Sequence, residues 1–295
     1  MKAGQPPAPP AGAGAPEWFG AAIAQAGQSR HLTIHGDRLH YLAWGEDARK
    51  PALVLVHGFR AHARWWDFIA PFFTATHRVF APDLLGMGDS DDRRGSPYSA
   101  LNFALDVVAL IEHECLAPAI LVGHSVGGAR ALRAAAERPD LVARVIAVDT
   151  GYRFDDVHES RWRSPPIRRR TYADADTAAA RFRLTPDDGR APAWVHDYVA
   201  RHSLRRVVDG WTWKWDERLP VGTVETDVAE LLARVQVPVD YLYGEYSTVV
   251  RPDIAARIVG LLPRGRGPIA IPGAWHHVPL DQPLALVAAL RCLLA

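Results

Sequence analysis

One short stretch of the sequence holds a serine in a setting that suits a nucleophile. Residues 123–127 read Gly-His-Ser-Val-Gly, a G-x-S-x-G pattern centred on Ser125. A mostly apolar run precedes it at 117–122, and a run rich in Ala, Leu and Arg follows at 129–137. Strand, sharp turn and helix in this order are the context of a nucleophile elbow, and the two glycines leave room for the strained turn. We therefore predict that Ser125 attacks a substrate carbon.

A serine hydroxyl is a weak nucleophile at neutral pH and needs partners. It requires a base within hydrogen-bond reach, and the base requires a carboxylate that fixes its tautomer. In a doubly wound sheet, sites form where the carboxyl ends of the strands meet. Clusters of polar residues or glycine follow four other predicted strands: His57–Phe59, Asp149, Gly244–Glu245 and the region of His276.

The elements that must position these residues alternate along the chain. Continuous apolar runs are typical of the interior of parallel sheets, and alternating strands and helices imply right-handed crossovers. The predicted fold class is therefore α/β, with a mostly parallel doubly wound sheet. Strands are predicted at 52–57, 77–81, 142–148, 239–243 and 269–271, a hairpin at 31–34 and 39–44, and helices at 64–73, 101–114, 252–262 and 282–294.

The alternation fails in the middle of the sequence. The core is predicted to comprise 27–151 and 237–295, and 152–236, rich in Arg, Asp and Trp, is interpreted as an inserted helical cap. Within the cap we expect helices at 174–183 and 194–208.

The N-terminal segment has a different composition. Residues 1–26 are predicted to be a flexible, Pro/Ala-rich segment. Within it, 17–25 could form a short helix that docks on the body through Trp18 and Phe19.

Composition limits the classes of partner. The chain has 295 residues, 34 basic and 33 acidic, for a net charge of +1. Such a balance gives no indication of binding to nucleic acid or to an anionic membrane, so we expect a small-molecule substrate. The two cysteines lack metal-site spacing, and no cofactor or metal is expected. No apolar run has the length of a membrane span or a signal peptide, which makes the cytoplasm the expected location. The oligomeric state is left open.

In combination, these motifs resemble the alpha/beta-hydrolase superfamily over roughly residues 30–151 and 237–295. The stretch His57-Gly58-Phe59 is similar to the family's oxyanion loop, which implies that the backbone N–H of Phe59 is one oxyanion donor. The resemblance implies that the second donor is the N–H of Val126, the residue after the nucleophile. Residues 83–90 are similar to the loop that family members carry after the next strand.

The base is assigned through the same resemblance. Residues 272–283 are similar to the family's final catalytic-histidine loop, in which an acidic residue follows the histidine by five positions. Counting back from Asp281 selects His276 as the base. Trp275 replaces the usual glycine, and the neighbouring His277 is interpreted as a surface or structural histidine.

The acid departs from the family pattern. The position that commonly carries Asp is Ser247, which cannot supply a negative charge. Two substitutes are available: Asp149, at the end of the strand after the elbow helix, and Glu245, one residue past the glycine. One subfamily of haloalkane dehalogenases places its acid near the first of these positions. We favour Asp149, with Glu245 and the absence of any acid as alternatives.

The elbow residue restricts the reaction. Related dehalogenases and epoxide hydrolases need an aspartate there, whereas serine directs the chemistry to acyl transfer through a covalent intermediate. The leading expectation is a serine hydrolase that cleaves a carboxylic ester of a small to medium apolar or aromatic substrate. A C–C bond hydrolase, a lactonase and a non-catalytic ligand-binding member are the alternatives.

Aromatic residues are the candidates for the substrate pocket. Trp211, Trp213 and Trp215 alternate along the cap, so an extended segment would put the three rings on one side, over Ser125. Alternatively, they join the cap to the core. Tryptophans after the oxyanion loop would wall the pocket mouth or pack in the core. The residues assigned to substrate binding are Phe59, Trp66, His124, Trp211 and Trp213.

Overall fold

The fold is organised around one large sheet. The computed structural model describes residues 14–152, 154, 168–187, 191–220 and 227–295. Eight strands form the large sheet and two form a small hairpin sheet. In chain order they are β1 Gln28–Ile34, β2 Asp37–Trp44, β3 Ala52–Val56, β4 Arg78–Pro82, β5 Ala119–His124, β6 Val142–Val148, β7 Leu204–Val207, β8 Gly210–Trp213, β9 Val239–Gly244 and β10 Gly265–Ile271.

Most strands of the large sheet run parallel. The spatial order is β1-β2-β4-β3-β5-β6-β9-β10. The pairs β1/β2 and β2/β4 are antiparallel, and every later neighbouring pair is parallel. The predicted fold class, a mostly parallel α/β sheet, is confirmed. Because β5 lies between β3 and β6, and β9 follows β6, their carboxyl ends meet at one edge.

Helices cover both faces of this sheet. On β3, Leu53 and Leu55 face one hydrophobic layer, and Val54 and Val56 face the other. Such two-sided burial explains the continuous apolar sequence of this strand. Among the described residues the helices are α1 Glu17–Ile23, α2 Ala100–His113, α3 Val126–Glu137, α4 Ala175–Ala179, α5 Ala193–His202, α6 Val228–Ala233, α7 Pro252–Leu261, α8 Val278–Asp281 and α9 Pro283–Leu294. None of them is long and apolar enough to cross a bilayer.

The prediction of a helix at 64–73 is wrong. Two short 3-10 turns, Ala63–Trp66 and Ala70–Phe73, occupy this part of the chain. Pro71 lies at the start of the second turn. Its missing N–H and its ring are incompatible with the interior of an α-helix, so a continuous helix cannot form.

The cap lies between β6 and β9, and only part of it is helical. The helix predicted over 194–208 ends at His202, and a β7–β8 hairpin follows, pairing Leu204 with Trp213. The helix predicted at 194–208 is therefore too long by its last six residues. The β-branched Val207 and Val208, followed by Asp209-Gly210, form a hairpin signal that outweighs the helical pattern. The predicted cap residues 153, 155–167, 188–190 and 221–226 lie outside the described residues.

The predicted flexible N-terminal segment also needs correction. Helix α1 docks on the body, as the alternative reading of 17–25 expects. The Phe19 side chain is fully buried, with its ring centroid 4.6 Å from Trp194 and 5.5 Å from Tyr198. This aromatic contact supplies enough apolar burial to order the helix. Residues 1–13 lie outside the described part of the chain.

A buried polar cluster joins the cap to the core. The Tyr198 hydroxyl on α5 donates to Asp67 Oδ2 at 2.6 Å, and Arg64 Nη1 donates to the same oxygen at 3.2 Å. Nearby, Ser203 Oγ lies 3.0 Å from His62 Nε2. Burial raises the pKa of the Asp67 carboxyl, and the Arg64 guanidinium opposes that rise. The cap is therefore held by donors aimed at a carboxylate that has little access to water.

Replacing Tyr198 by Phe tests this docking contact. The change removes one donor from a buried acceptor, so we expect the free energy of unfolding to fall by about 1–2 kcal/mol. Urea denaturation followed by tryptophan fluorescence measures it. Tyr246→Phe is the matched control, since that residue is 53% exposed, and its effect should stay within about 0.5 kcal/mol. Equal effects of the two substitutions would contradict the assignment.

Candidate active site

Ser125 lies in a strained turn between β5 and α3. Its backbone has φ 55° and ψ −124°, a left-handed conformation that a residue with a side chain rarely adopts. Its N–H donates to the Val148 carbonyl at 2.9 Å, which ties the turn to the end of β6. Most neighbouring residues are buried, whereas Ser125 and Val126 are partly exposed. The geometry is that of a nucleophile elbow.

Close packing of backbone makes this turn possible. A methyl group on Gly123 would lie 2.5 Å from the backbone of Gly127. One on Gly127 would lie 2.3 Å from the Val56 carbonyl oxygen and 2.4 Å from that of His57. The first turn of α3 therefore rests directly on the end of β3, and neither glycine can carry a side chain without displacing backbone.

The same packing places the predicted oxyanion loop beside the serine. A methyl group on Gly58 would lie 3.3 Å from Ser125 Cβ. The Leu84 N–H donates to His57 Nε2 at 3.1 Å, so the His57 Nδ1–H donates to the Gly58 carbonyl at 2.7 Å and holds the loop's shape. No described residue accepts a hydrogen bond from the N–H of Phe59 or of Val126. Both donors are free to bind a ligand oxygen.

His276 and Asp149 form a buried pair. The His276 Nδ1 lies 2.7 Å from Asp149 Oδ1, and both side chains are almost inaccessible to solvent. Asp149 also accepts from Ser247 Oγ at 2.8 Å and from the Gly244 N–H at 2.7 Å. The carboxylate holds Nδ1 as the protonated nitrogen of His276, which leaves Nε2 with a lone pair.

The sheet order explains why Asp149 makes this contact. Strands β6 and β9 are neighbours, and the Asp149 N–H donates to the Leu242 carbonyl at 2.8 Å. An acid at the end of either strand can therefore reach the same histidine loop. The next residue, Thr150, accepts from the Tyr241 hydroxyl at 2.5 Å. The alternative acid, Glu245, is exposed and accepts from the Gly273 N–H at 2.9 Å instead.

Two further histidines surround His276. The His124 Nε2 donates to the His276 carbonyl at 2.8 Å, and the ring centroids of the two residues lie 5.1 Å apart. Burial, with help from the neighbouring imidazoles, holds the pKa of His124 well below its usual range. Burial likewise lowers the pKa of His277 to about 3, and its Nε2 donates to the Pro186 carbonyl at 2.9 Å. Both imidazoles are neutral at physiological pH.

The nitrogens of these three histidines are close enough together to hold a metal ion. One ring nitrogen from each of His124, His276 and His277 lies within 4.8 Å of the others. Each ring has a hydrogen-bond acceptor: a backbone carbonyl for His124 and for His277, and a carboxylate for His276. Hydrogen bonding alone thus accounts for the orientation of all three.

Comparison with known proteins gives the family. The profile described as "alpha/beta hydrolase fold" matches residues 51–283, which include Ser125, Asp149 and His276. The chain belongs to the alpha/beta hydrolase family. An uncharacterized hydrolase of Bacillus subtilis, YugF, is 33% identical over 124 residues, 42% of this chain and 45% of YugF. The match to that relative therefore spans less than half of its length.

Two other proteins resemble this alpha/beta hydrolase over most of their length. The sn-1-specific diacylglycerol lipase ABHD11 of Mus musculus is 25% identical over 266 residues, 87% of this chain and 85% of that lipase. The crystal structure of E-2-(acetamidomethylene)succinate hydrolase superposes with a TM-score of 0.77 at 25% identity, covering 90% of this chain and 98% of that one.

The tryptophans after the predicted oxyanion loop pack in the core, which is one of the two positions expected for them. Trp66 is 1% exposed and packs in the core, so its assignment to the pocket mouth is wrong. Its neighbour Trp65 instead stacks on His124, with 6.1 Å between ring centroids, and meets His277 edge-on at 5.7 Å. The residues after the oxyanion loop form a 3-10 turn rather than an α-helix, and this turns the other ring toward the site.

The three cap tryptophans of the hydrolase do not all lie on one surface. Trp211 and Trp213 lie on one face of β8, but the contacts described for them are within the cap, where Trp213 packs against Tyr172 and Phe182. Their predicted position over Ser125 is not what these contacts show. Trp215 lies beyond the strand and bridges to Met87 in the core. The hairpin ends at Trp213, so the alternation stops before the third ring.

Sequence reasoning missed two side chains beside this site. Ser247 was interpreted only as a missing acid, yet its hydroxyl donates to Asp149. The sheet order that brings β6 beside β9 was the signal for it. Arg60 directly follows Phe59, the predicted oxyanion residue, and no acidic residue lies within six positions of it in the sequence. An isolated cation at that place was the signal.

Gly127→Ala tests the contact between α3 and β3. The new methyl would meet two carbonyl oxygens of the β3 end, so we expect a loss of at least about 2 kcal/mol in the free energy of unfolding. Gly260→Ala in α7 is the matched control, because a methyl there meets nothing within 4 Å. It should leave stability unchanged or raise it by about 0.5 kcal/mol. A Gly127→Ala protein as stable as wild type in urea denaturation would contradict the packing.

Proposed function

We propose that this alpha/beta hydrolase cleaves a carboxylic ester of a small to medium apolar or aromatic small molecule through an acyl-enzyme. The proposal rests on one observation, the buried contact of 2.7 Å between His276 Nδ1 and Asp149 Oδ1 beside the strained turn at Ser125. An imidazole held in this tautomer presents Nε2 as a general base, which is what a serine nucleophile requires.

In the first step the Ser125 Oγ bonds to the ester carbonyl carbon, and its proton passes to His276 Nε2. The carbonyl oxygen becomes an oxyanion and accepts hydrogen bonds from the N–H groups of Phe59 and Val126. Donors already oriented toward such an oxygen are each worth about 10²–10³ in rate. The positive end of the α3 dipole adds to this stabilisation.

The intermediate then loses the alcohol. The bond from the carbonyl carbon to the alcohol oxygen breaks, and His276 Nε2 returns its proton to that oxygen, leaving an acyl group on Ser125. A water molecule attacks the acyl carbon while Nε2 accepts one of its protons. Nε2 then protonates Ser125 Oγ as the carboxylic acid leaves. Asp149 stays ionised throughout and stabilises the imidazolium.

The comparisons favour an ester among the possible acyl substrates. The mouse relative, similar over most of both chains, is named as a diacylglycerol lipase, an enzyme whose substrate is an ester. The partly exposed Phe59 gives the site apolar surface for a hydrophobic acyl or alcohol group, and the buried Trp65 packs behind it against His124.

Ser125→Ala is the direct test of the nucleophile. We expect the wild-type protein to release p-nitrophenol from p-nitrophenyl esters of short acids and to react with a fluorophosphonate probe at Ser125. The variant should lose the covalent label completely and at least about 10³-fold in kcat. Heat-denatured protein serves as the labelling control. Absence of both turnover and labelling in folded wild-type protein would sink the proposal.

A matched pair of isosteric changes tests the acid. Asp149→Asn keeps the volume but removes the charge and favours the wrong tautomer of His276, so we expect kcat to fall by about 10⁴-fold. Glu245→Gln removes the exposed alternative and should change kcat by less than about threefold. Circular dichroism shows whether both variants are folded. Equal losses, or a larger loss in Glu245→Gln, would show that the acid is assigned to the wrong carboxylate.

A further inference from the structure

Arg60 is a cation at the edge of the site that has no carboxylate partner among the described residues. It directly follows Phe59, whose N–H is the proposed oxyanion donor, and its own N–H donates to Met87 Sδ at 3.2 Å. Its φ of 55° is in the left-handed region, which is uncommon for arginine. No described carboxylate forms an ion pair with it, whereas many other arginines of the chain have such partners.

Aromatic rings hold the guanidinium in place. The Arg60 Cζ lies 4.1 Å from the ring centroid of Trp215 and 5.0 Å from that of Phe59. Its Nε and Nη2 are buried and have no hydrogen-bond partner among the described residues. Burial lowers the pKa of this arginine, but a guanidinium stays charged at neutral pH.

Burying these nitrogens costs free energy unless another interaction offsets the loss of their hydrogen bonds to water. The two rings supply cation–π attraction, yet they cannot accept the hydrogen bonds that the buried nitrogens have lost from water. The cost is lower when an acceptor of opposite charge enters the site, because a carboxylate fits the planar donors of a guanidinium. Rings on two sides also fix the donor before the ligand arrives, which reduces the entropy lost on binding.

We propose that Arg60 binds a free carboxylate on the substrate, so that the preferred ester carries a second, anionic carboxyl group. The inference rests on the proposed ester hydrolysis and adds its substrate class. Arg60 adjoins the residue that holds the scissile carbonyl oxygen, and consecutive Cα atoms are about 3.8 Å apart. We therefore place the carboxylate on the same small molecule as the ester, on its acyl or its alcohol side.

Paired substrates measure this preference. On the acyl side the pairs are mono-p-nitrophenyl esters of diacids with four to eight carbons, each matched with the uncharged amide of the same shape. On the alcohol side the pair is 4-acetoxybenzoate and 4-acetoxybenzamide. We expect wild-type kcat/KM to favour the anion by about 10–100-fold in one of the two series, and the preference to shrink at high salt.

Arg60→Met tests whether the guanidinium causes the preference. This change keeps an unbranched side chain between the rings and removes the charge, so the anion-to-amide ratio of kcat/KM should fall to near one. Arg60→Lys should retain part of the ratio. The matched control is Arg206→Met, at an exposed arginine of β7, and it should leave the ratio at the wild-type value.

A binding measurement separates this proposal from the proposed hydrolysis. At constant ionic strength, adipate should raise the melting temperature of wild type more than adipamide does, and Arg60→Met should lose that difference even if no ester is cleaved. A wild-type protein with neither a kinetic preference for the anion nor stabilisation by adipate would overturn the inference. So would equal losses for anionic and neutral esters in Arg60→Met, because a purely structural latch between Phe59 and Trp215 predicts that result.

Discussion

The site depends on the parallel alignment of β6 with β9. That alignment brings the end of one strand against the end of the other, so Asp149 reaches the loop that holds His276. Within this buried contact, the carboxylate is met by three donors: an imidazole, a hydroxyl and a backbone N–H. Burying a charge is costly unless it is hydrogen-bonded, and these three donors meet that requirement. The rest of the site is built around an imidazole that this pair holds in one orientation.

The strained turn at Ser125 is the second constraint, and close packing of the surrounding backbone stabilises it. A non-glycine residue at positive φ persists only where its surroundings leave no alternative. Here the surroundings are backbone atoms: Gly123 and Gly127 allow the end of β5, the start of α3 and the end of β3 to touch. The oxyanion loop is placed by the same contacts, through Gly58 against Ser125. One closely packed unit therefore positions both the proposed nucleophile and the proposed oxyanion donors.

Much of this could be predicted from the sequence, because it depends on local patterns. Continuous apolar runs gave the strands to within a few residues, and the spacing around Ser125 gave the elbow. The choice of Asp149 over Glu245 could only be a preference, because it depends on which strands are neighbours. The positions of the tryptophans could not be predicted for a related reason. Pro71 prevents the continuous helix predicted at 64–73, and the 3-10 turn found at its start buries both Trp65 and Trp66. The turn signal at Asp209-Gly210 ends the predicted cap helix in a hairpin, and the described contacts of Trp213 lie within the cap.

The location of Asp149 has a mechanical consequence. Asp149 stands directly after β6, a few residues before the chain leaves the sheet to build the cap. A displacement of the chain at the start of the cap would therefore act on the nearby carboxylate. The hydrogen bond from the Tyr241 hydroxyl to the Thr150 carbonyl lies in that path. It anchors the residue next to Asp149 to β9, so the carboxylate that contacts His276 is held by the sheet as well as by its own hydrogen bonds.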